Sequence, residues 1–151
     1  MDRTQHNSAI MKISLASDHA GYKFKLLIKN YLVKKGFVII DHGTFSSDSV
    51  DYPDFIKLAA KDVSEHNSDL GIGICGTGIG VSIVANKFKG VRAALVVDEE
   101  MARLSRSHND ANFLALGERL MDETKVFRIL DVWLNTKFDG GRHENRVKKI
   151  E

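Results

Sequence analysis

The sequence predicts an α/β fold: a Rossmann-like three-layer sandwich with a five-stranded parallel sheet. Three observations carry that expectation. Five apolar runs of strand length recur along the chain. Segments with helical periodicity separate them. The length, 151 residues, suits one compact domain that buries a core without disulfides or structural metal. Strands that alternate with helices argue for a parallel sheet covered on both faces, and right-handed crossovers close it into a sandwich.

Lys12–Ser17 reads as the first strand. A helix from Tyr22 to Lys35 follows, with Phe24, Leu27, Ile28, Tyr31 and Leu32 on one face. Gly36 ends it in the usual C-terminal position. Phe37–Ile40 is a short second strand, followed by a polar loop from Asp41 to Asp51. Pro53 fits the first turn of the next helix, where its missing N–H costs nothing. That helix runs to about Glu65, with Phe55, Leu58, Ala59 and Val63 inward. Leu70–Cys75 is the third strand and Ile79–Phe88 the third helix. Val91–Val97 and Glu99–Ser107 form the next strand and helix, and Asn112–Leu116 the last strand. Asp122 caps a helix whose inward face holds Val126, Leu130, Trp133 and Leu134. Gly140-Gly141 breaks that helix before a basic tail, Arg142–Glu151. Residues 1–10 are polar and read as a flexible extension or an upstream start. Residues 11–151 form the single folded domain.

Composition excludes several classes of function. The net charge of +2 is too small to argue for nucleic acid or a membrane surface. No apolar stretch approaches the roughly 20 residues that span a bilayer, and the first residues lack the apolar core of a signal peptide. One cysteine forms no intrachain disulfide, which suits a reducing cytoplasm. It also rules out thiolate-rich zinc sites, and the histidines show no metal spacing. His143-Glu144 is not a zinc-protease pair, because position 147 is valine.

Chemistry concentrates at Cys75, where an apolar run meets a glycine-rich turn, Gly76-Thr77-Gly78-Ile79-Gly80. In open α/β sheets the carboxyl ends of strands are where ligands bind. Alternating glycines permit positive φ and close approach of a ligand, and the N–H groups of such a turn suit an anion or a developing oxyanion. A thiolate there serves as nucleophile or general base. The plain alternatives are a tight packing turn and a small buried hydrophobe. Gly71-x-Gly73-x-x-Gly76 also spells a dinucleotide fingerprint, with Asp98 about 20 residues on. That motif must follow a strand, whereas residues 71–75 have to be the strand themselves.

Asp18-His19-Ala20-Gly21 ends the first strand on the same edge as Cys75, where it either caps the next helix or contacts a ligand. Ser107-His108-Asn109-Asp110 precedes the last strand, which places His108 on the opposite edge, facing away from Cys75 unless the fourth helix carries it to a neighbour. Arg142 and Arg146 stand four residues apart on one helical face. Arginine forks suit phosphate, though a solvated basic face has the same pattern.

Taken together, Ser17-Asp18-His19-Ala20-Gly21, Asp51-Tyr52-Pro53, Ile74–Gly80, Ala85-Asn86-Lys87, Ser107–Asp110 and Gly140-Gly141-Arg142-His143 resemble the ribose-5-phosphate isomerase B family. The resemblance runs from about Met11 to the end. It implies an aldose–ketose isomerase that interconverts ribose 5-phosphate and ribulose 5-phosphate through a cis-enediolate, without metal or organic cofactor. It implies Cys75 as the base, Thr77 assisting, and the Gly76–Gly80 N–H groups on the enediolate oxygen. His108 would open the furanose ring. Asp18, His19 and Asn109 would contact the open sugar, and Arg119, Arg142 and Arg146 would bind substrate, with Arg142 and Arg146 on the phosphate. Family members are dimers or tetramers with sites at a subunit interface, so His108 would serve a neighbouring chain's Cys75. Two rivals remain: an isomerase of allose or galactose 6-phosphate, with the Thr44–Asp51 loop setting pocket size, and a non-catalytic sugar-phosphate sensor.

Overall fold

The computed structural model describes residues 10–151, so the expected flexible extension lies outside the described residues except for Ile10. Five parallel strands form one sheet: β1 (Lys12–Ser17), β2 (Val38–Asp41), β3 (Leu70–Cys75), β4 (Ala93–Leu95) and β5 (Phe113–Gly117). Their order is β2-β1-β3-β5-β4. The helices are α1 (Tyr22–Lys34), α2 (Tyr52–Ser64), α3 (Ile79–Ala85), α4 (Glu99–Ser107), α5 (Glu123–Asn135) and α6 (Arg142–Lys148). This is the Rossmann-like sandwich that the alternation of runs predicts.

Side-chain alternation along the strands divides the core in two. Ile13, Leu15, Ile72 and Ile74 face α1 and α5 in a layer centred on the fully buried Trp133. Ala16, Cys75, Phe113 and Ala115 face α2 and α3. The glycines of β3 belong to this second layer. A methyl on Gly73 would sit 2.6 Å from Val81 Cγ1, and one on Gly71 would strike the Phe113 ring. Overpacking of that kind costs about 1–3 kcal/mol. The apparent dinucleotide fingerprint is therefore a packing pattern: its first two glycines lie inside a wholly buried strand.

The structure corrects details of the expected elements. On α2 it is Ile56, Ala59, Ala60 and Val63 that are buried, while Leu58 is 40% exposed and Phe55 only half-buried. The third helix stops at Ala85, and β4 spans only Ala93–Leu95. Asn86 caps the helix and pairs with the start of the strand. Its side chain accepts from the Ala93 N–H at 2.8 Å and donates to the Ala93 carbonyl at 3.0 Å, satisfying the sheet's edge strand with a side chain.

Chain direction sets the site. β1 and β3 are neighbours, yet their onward connections run to opposite faces, to α1 and to α3. The crevice at their carboxyl ends is a topological switch point, where open sheets bind ligands.

Candidate active site

β3 ends at Cys75, and the chain turns at once into α3. Gly78 makes the turn with φ of +79°, a left-handed conformation natural to glycine. That conformation aims its N–H at the Cys75 Sγ, 3.1 Å away. Cys75 as a whole is only 6% exposed, so its sulfur packs against the turn. Thr77 Oγ1 accepts the Ile79 N–H at 3.2 Å. Two donors of the turn are engaged within it, one of them on the sulfur.

Neighbouring strand ends press on this turn. The Asp18 carboxylate accepts the Gly21 N–H at 3.1 Å, closing a short 3-10 turn at His19–Gly21, and the Asp18 N–H donates to the Ile74 carbonyl at 3.3 Å. A methyl on Gly21 would sit 2.5 Å from the Ile74 oxygen, so nothing larger than glycine fits. His19 Nδ1 accepts the Val50 N–H at 3.1 Å, which places the proton on Nε2 and ties down the 42–51 loop. From β5, the Arg119 N–H donates to the Gly76 carbonyl at 3.0 Å, and its guanidinium lies over Gly76. The result is an open cleft of about 440 Å³ lined by Asp18, His19, Tyr52, Cys75, Gly76, Thr77, Ile79, Gly80 and Arg119, among others.

Beneath the 42–51 loop lies a buried ion pair. Lys25 is fully buried, 2.6 Å from the Asp41 carboxylate, with the Phe45 ring 4.6 Å from its ammonium. Burial alone would raise the Asp41 pKa. The Lys25 ammonium, the Gly43 N–H and Lys29 outweigh it and hold the carboxyl below its ordinary value.

The other candidates gather elsewhere. His108 is the C-terminal cap of α4 and stacks on His143, ring centroids 4.2 Å apart and planes 13° from parallel. Asp139 completes a group whose ligand atoms lie within 4.8 Å of one another. Its N–H donates to the Ser107 carbonyl at 3.0 Å. Loss of solvation, and then the positive fields of His108, Arg142 and Arg146, hold His143 below its ordinary pKa. Arg142 and Arg146 are exposed on α6. Asn109 lines a separate cavity with Asn86, Arg92 and Ile150. None of His108, Asn109, Arg142 and Arg146 lines the Cys75 cleft.

Tyr52 was not singled out as a site residue, although it lines the cleft and a methyl on Gly80 would strike its ring. Its signal was available: it opens α2, and every strand-to-helix connection here arrives at the Cys75 edge. His143 and Asp139 were likewise passed over as site residues.

Comparison with known proteins gives the chain its relatives. Residues 13–150 match the family described as Ribose/Galactose Isomerase. Ribose-5-phosphate isomerase B of Escherichia coli is 45% identical over 139 residues, which cover 92% of this chain and 93% of that protein. The ribose-5-phosphate isomerase B structure from Clostridium thermocellum superposes with a TM-score of 0.91 at 52% identity, covering 93% of this chain and 95% of that one. The Mycoplasma genitalium enzyme, solved with bound ribulose-5-phosphate, gives 0.90 at 46% identity and 93% coverage of each chain. This chain belongs to the ribose/galactose isomerase family.

Proposed function

We propose that this protein interconverts D-ribose 5-phosphate and D-ribulose 5-phosphate through a cis-enediolate. The observation that carries the reading is the Cys75 sulfur, fixed by the Gly78 N–H at the floor of a cleft at the sheet's switch point. The ribulose-5-phosphate held by the Mycoplasma genitalium relative supports the substrate class.

In this reading residues 11–151 are one isomerase domain working in the cytoplasm. His108 first moves a proton at the ring oxygen and opens the furanose. Cys75 then takes the proton from C2, and the electron pair passes into the C1 carbonyl to give the enediolate. The same sulfur returns the proton to C1, while the C2 hydroxyl passes its own proton to the C1 oxygen and becomes the carbonyl. Backbone N–H groups of the Gly76–Gly80 turn hold the developing oxyanion, and one such donor is worth roughly 10²–10³ in rate. Thr77 assists at the sugar end. Asp18, His19, Asn109 and Arg119 bind the open chain. Arg142 and Arg146 hold the phosphate, whose remote binding energy sets C2 against the sulfur. Only protons and one electron pair move, so the scheme calls for no cofactor. Because His108, Asn109 and the two arginines lie away from the cleft in one chain, they serve the Cys75 of a second copy in a homodimer or larger homo-oligomer.

A coupled assay offering ribose 5-phosphate, allose 6-phosphate and galactose 6-phosphate side by side tests the substrate. Highest kcat/KM on the pentose supports the proposal. Preference for a six-carbon sugar moves the substrate assignment, and no turnover of any of them favours a sensor.

A further inference from the structure

The first turn of α1 lacks a local cap. Its N-cap residue, Gly21, has no side chain to offer, and the turn contains no acidic residue. Such orphan N–H groups are usually satisfied by a nearby Ser, Thr, Asp or Asn. Here the partner comes from 94 residues away: the Glu118 carboxylate accepts the Phe24 N–H at 2.8 Å. Phe24 is itself 5% exposed, so water replaces this acceptor poorly.

The neighbours of Glu118 make the contact more than a cap. Gly117 packs so closely on Thr77 that a methyl there would lie 2.5 Å from the Thr77 carbonyl carbon. Arg119 follows, its N–H on the Gly76 carbonyl and its guanidinium over Gly76. On the other side, α1 continues directly from the Asp18–Gly21 turn, which rests on Ile74. We propose that Glu118 is a positioning residue for the isomerisation: by capping α1 it locks the turn carrying Arg119 to the turn carrying Asp18 and His19, across the mouth of the Cys75 cleft. The proposal rests on the isomerase reading for its kinetic consequence and on geometry alone for its structural one.

The experiment compares Glu118→Ala and Glu118→Gln with the wild-type chain, alone and combined with Arg119→Ala. Glu118→Ala is expected to lose between about tenfold and a hundredfold in kcat/KM, the scale on which small misplacements of binding groups cost rate. Glu118→Gln keeps an oxygen acceptor for the Phe24 N–H and should stay within about twofold of wild type. In the Arg119→Ala background, adding Glu118→Ala should cost several-fold less than it does alone, because one of the groups it positions is gone. A cap that merely stabilises would lower Tm with wild-type kinetics, or add independently to Arg119→Ala, and either result overturns the proposal. Should the alanine chain not fold, Glu118→Asp, one methylene short of the Phe24 N–H, takes its place with the same expectations. Alkylation of Cys75 by iodoacetamide is measured in parallel and needs no sugar. If wild type shows no isomerisation, the isomerase reading fails and alkylation decides for Glu118. A several-fold faster rate in Glu118→Ala supports it, and an unchanged rate overturns it.

Discussion

The two groups of site residues are built in opposite ways. Around Cys75 the backbone does the work: strand ends β1, β3 and β5 deliver Asp18, Cys75 and Arg119, and main-chain hydrogen bonds tie the three turns together. Around His108 the side chains do it: two imidazoles stack half-exposed, and Arg142 and Arg146 point from a seven-residue helix into solvent. The first region is preorganised within one chain. The second has charge and donors that stand outside the Cys75 cleft. A base that must meet a particular C–H needs the rigid setting, whereas phosphate ligands tolerate an adjustable one.

The largest effect that tests this contrast is at the sulfur. Cys75→Ala removes the proposed base and should lower kcat by about 10³, within the range a positioned general base supplies. KM should change little, since phosphate and sugar contacts lie elsewhere. Full turnover in that variant, measured in a coupled ribulose assay, would assign the proton transfer to another group.

Next in size is the foundation of the first region. Lys25→Met leaves the Asp41 carboxylate, 8% exposed, facing only Lys29 at 3.3 Å and the Gly43 N–H. Breaking such a buried pair costs about 3–5 kcal/mol, readable by urea denaturation at pH 7. The pH dependence has a definite sign. Asp41 titrates lower in the folded chain than its unfolded value of about 3.9, so its contribution is complete above that pH and is lost as pH falls through the lower folded value. The variant should be missing that acid-side loss. Equal acid sensitivity in both chains would show that other carboxylates govern it.

Arg142→Ala probes the second region. Losing a charge-assisted phosphate contact should raise KM about ten- to a hundredfold while kcat holds, because the base and oxyanion donors stay in place. A fall in kcat with KM unchanged would mean that Arg142 acts on the reacting end of the sugar.

Legibility in the sequence followed locality. The Cys75 turn is one contiguous motif, so composition, strand and helix signals coincide on it. Parallel-strand logic also placed His108 on the edge away from Cys75, and the structure keeps it out of the cleft. The inward face of α2 was harder, because Phe55, Ile56, Leu58, Ala59 and Ala60 offer two overlapping apolar stripes. Packing against β1 and β3 selects the stripe with Ile56, which a period alone does not do. The Glu118–Phe24 contact left no trace in pattern, since a side chain capping a helix 94 residues away has no spacing rule. Strand order is similarly silent: β5 inserts between β3 and β4 through pairing that consecutive runs do not announce.

The smallest expected signal bears most directly on the comparison. Cys75→Ala and His108→Ala chains each lack one essential group and should be nearly inactive alone. If one chain's His108 serves another chain's Cys75, mixed oligomers contain sites with both groups intact. Random pairing in twofold dimers, after unfolding and refolding an equal mixture, should leave about a quarter of the wild-type sites complete. Activity should therefore reappear on mixing, to about that fraction of wild type. Were His108 to serve the Cys75 of its own chain, every site would keep one defect and mixing would restore nothing. The rescue separates a region finished within the fold from one finished only by a second copy.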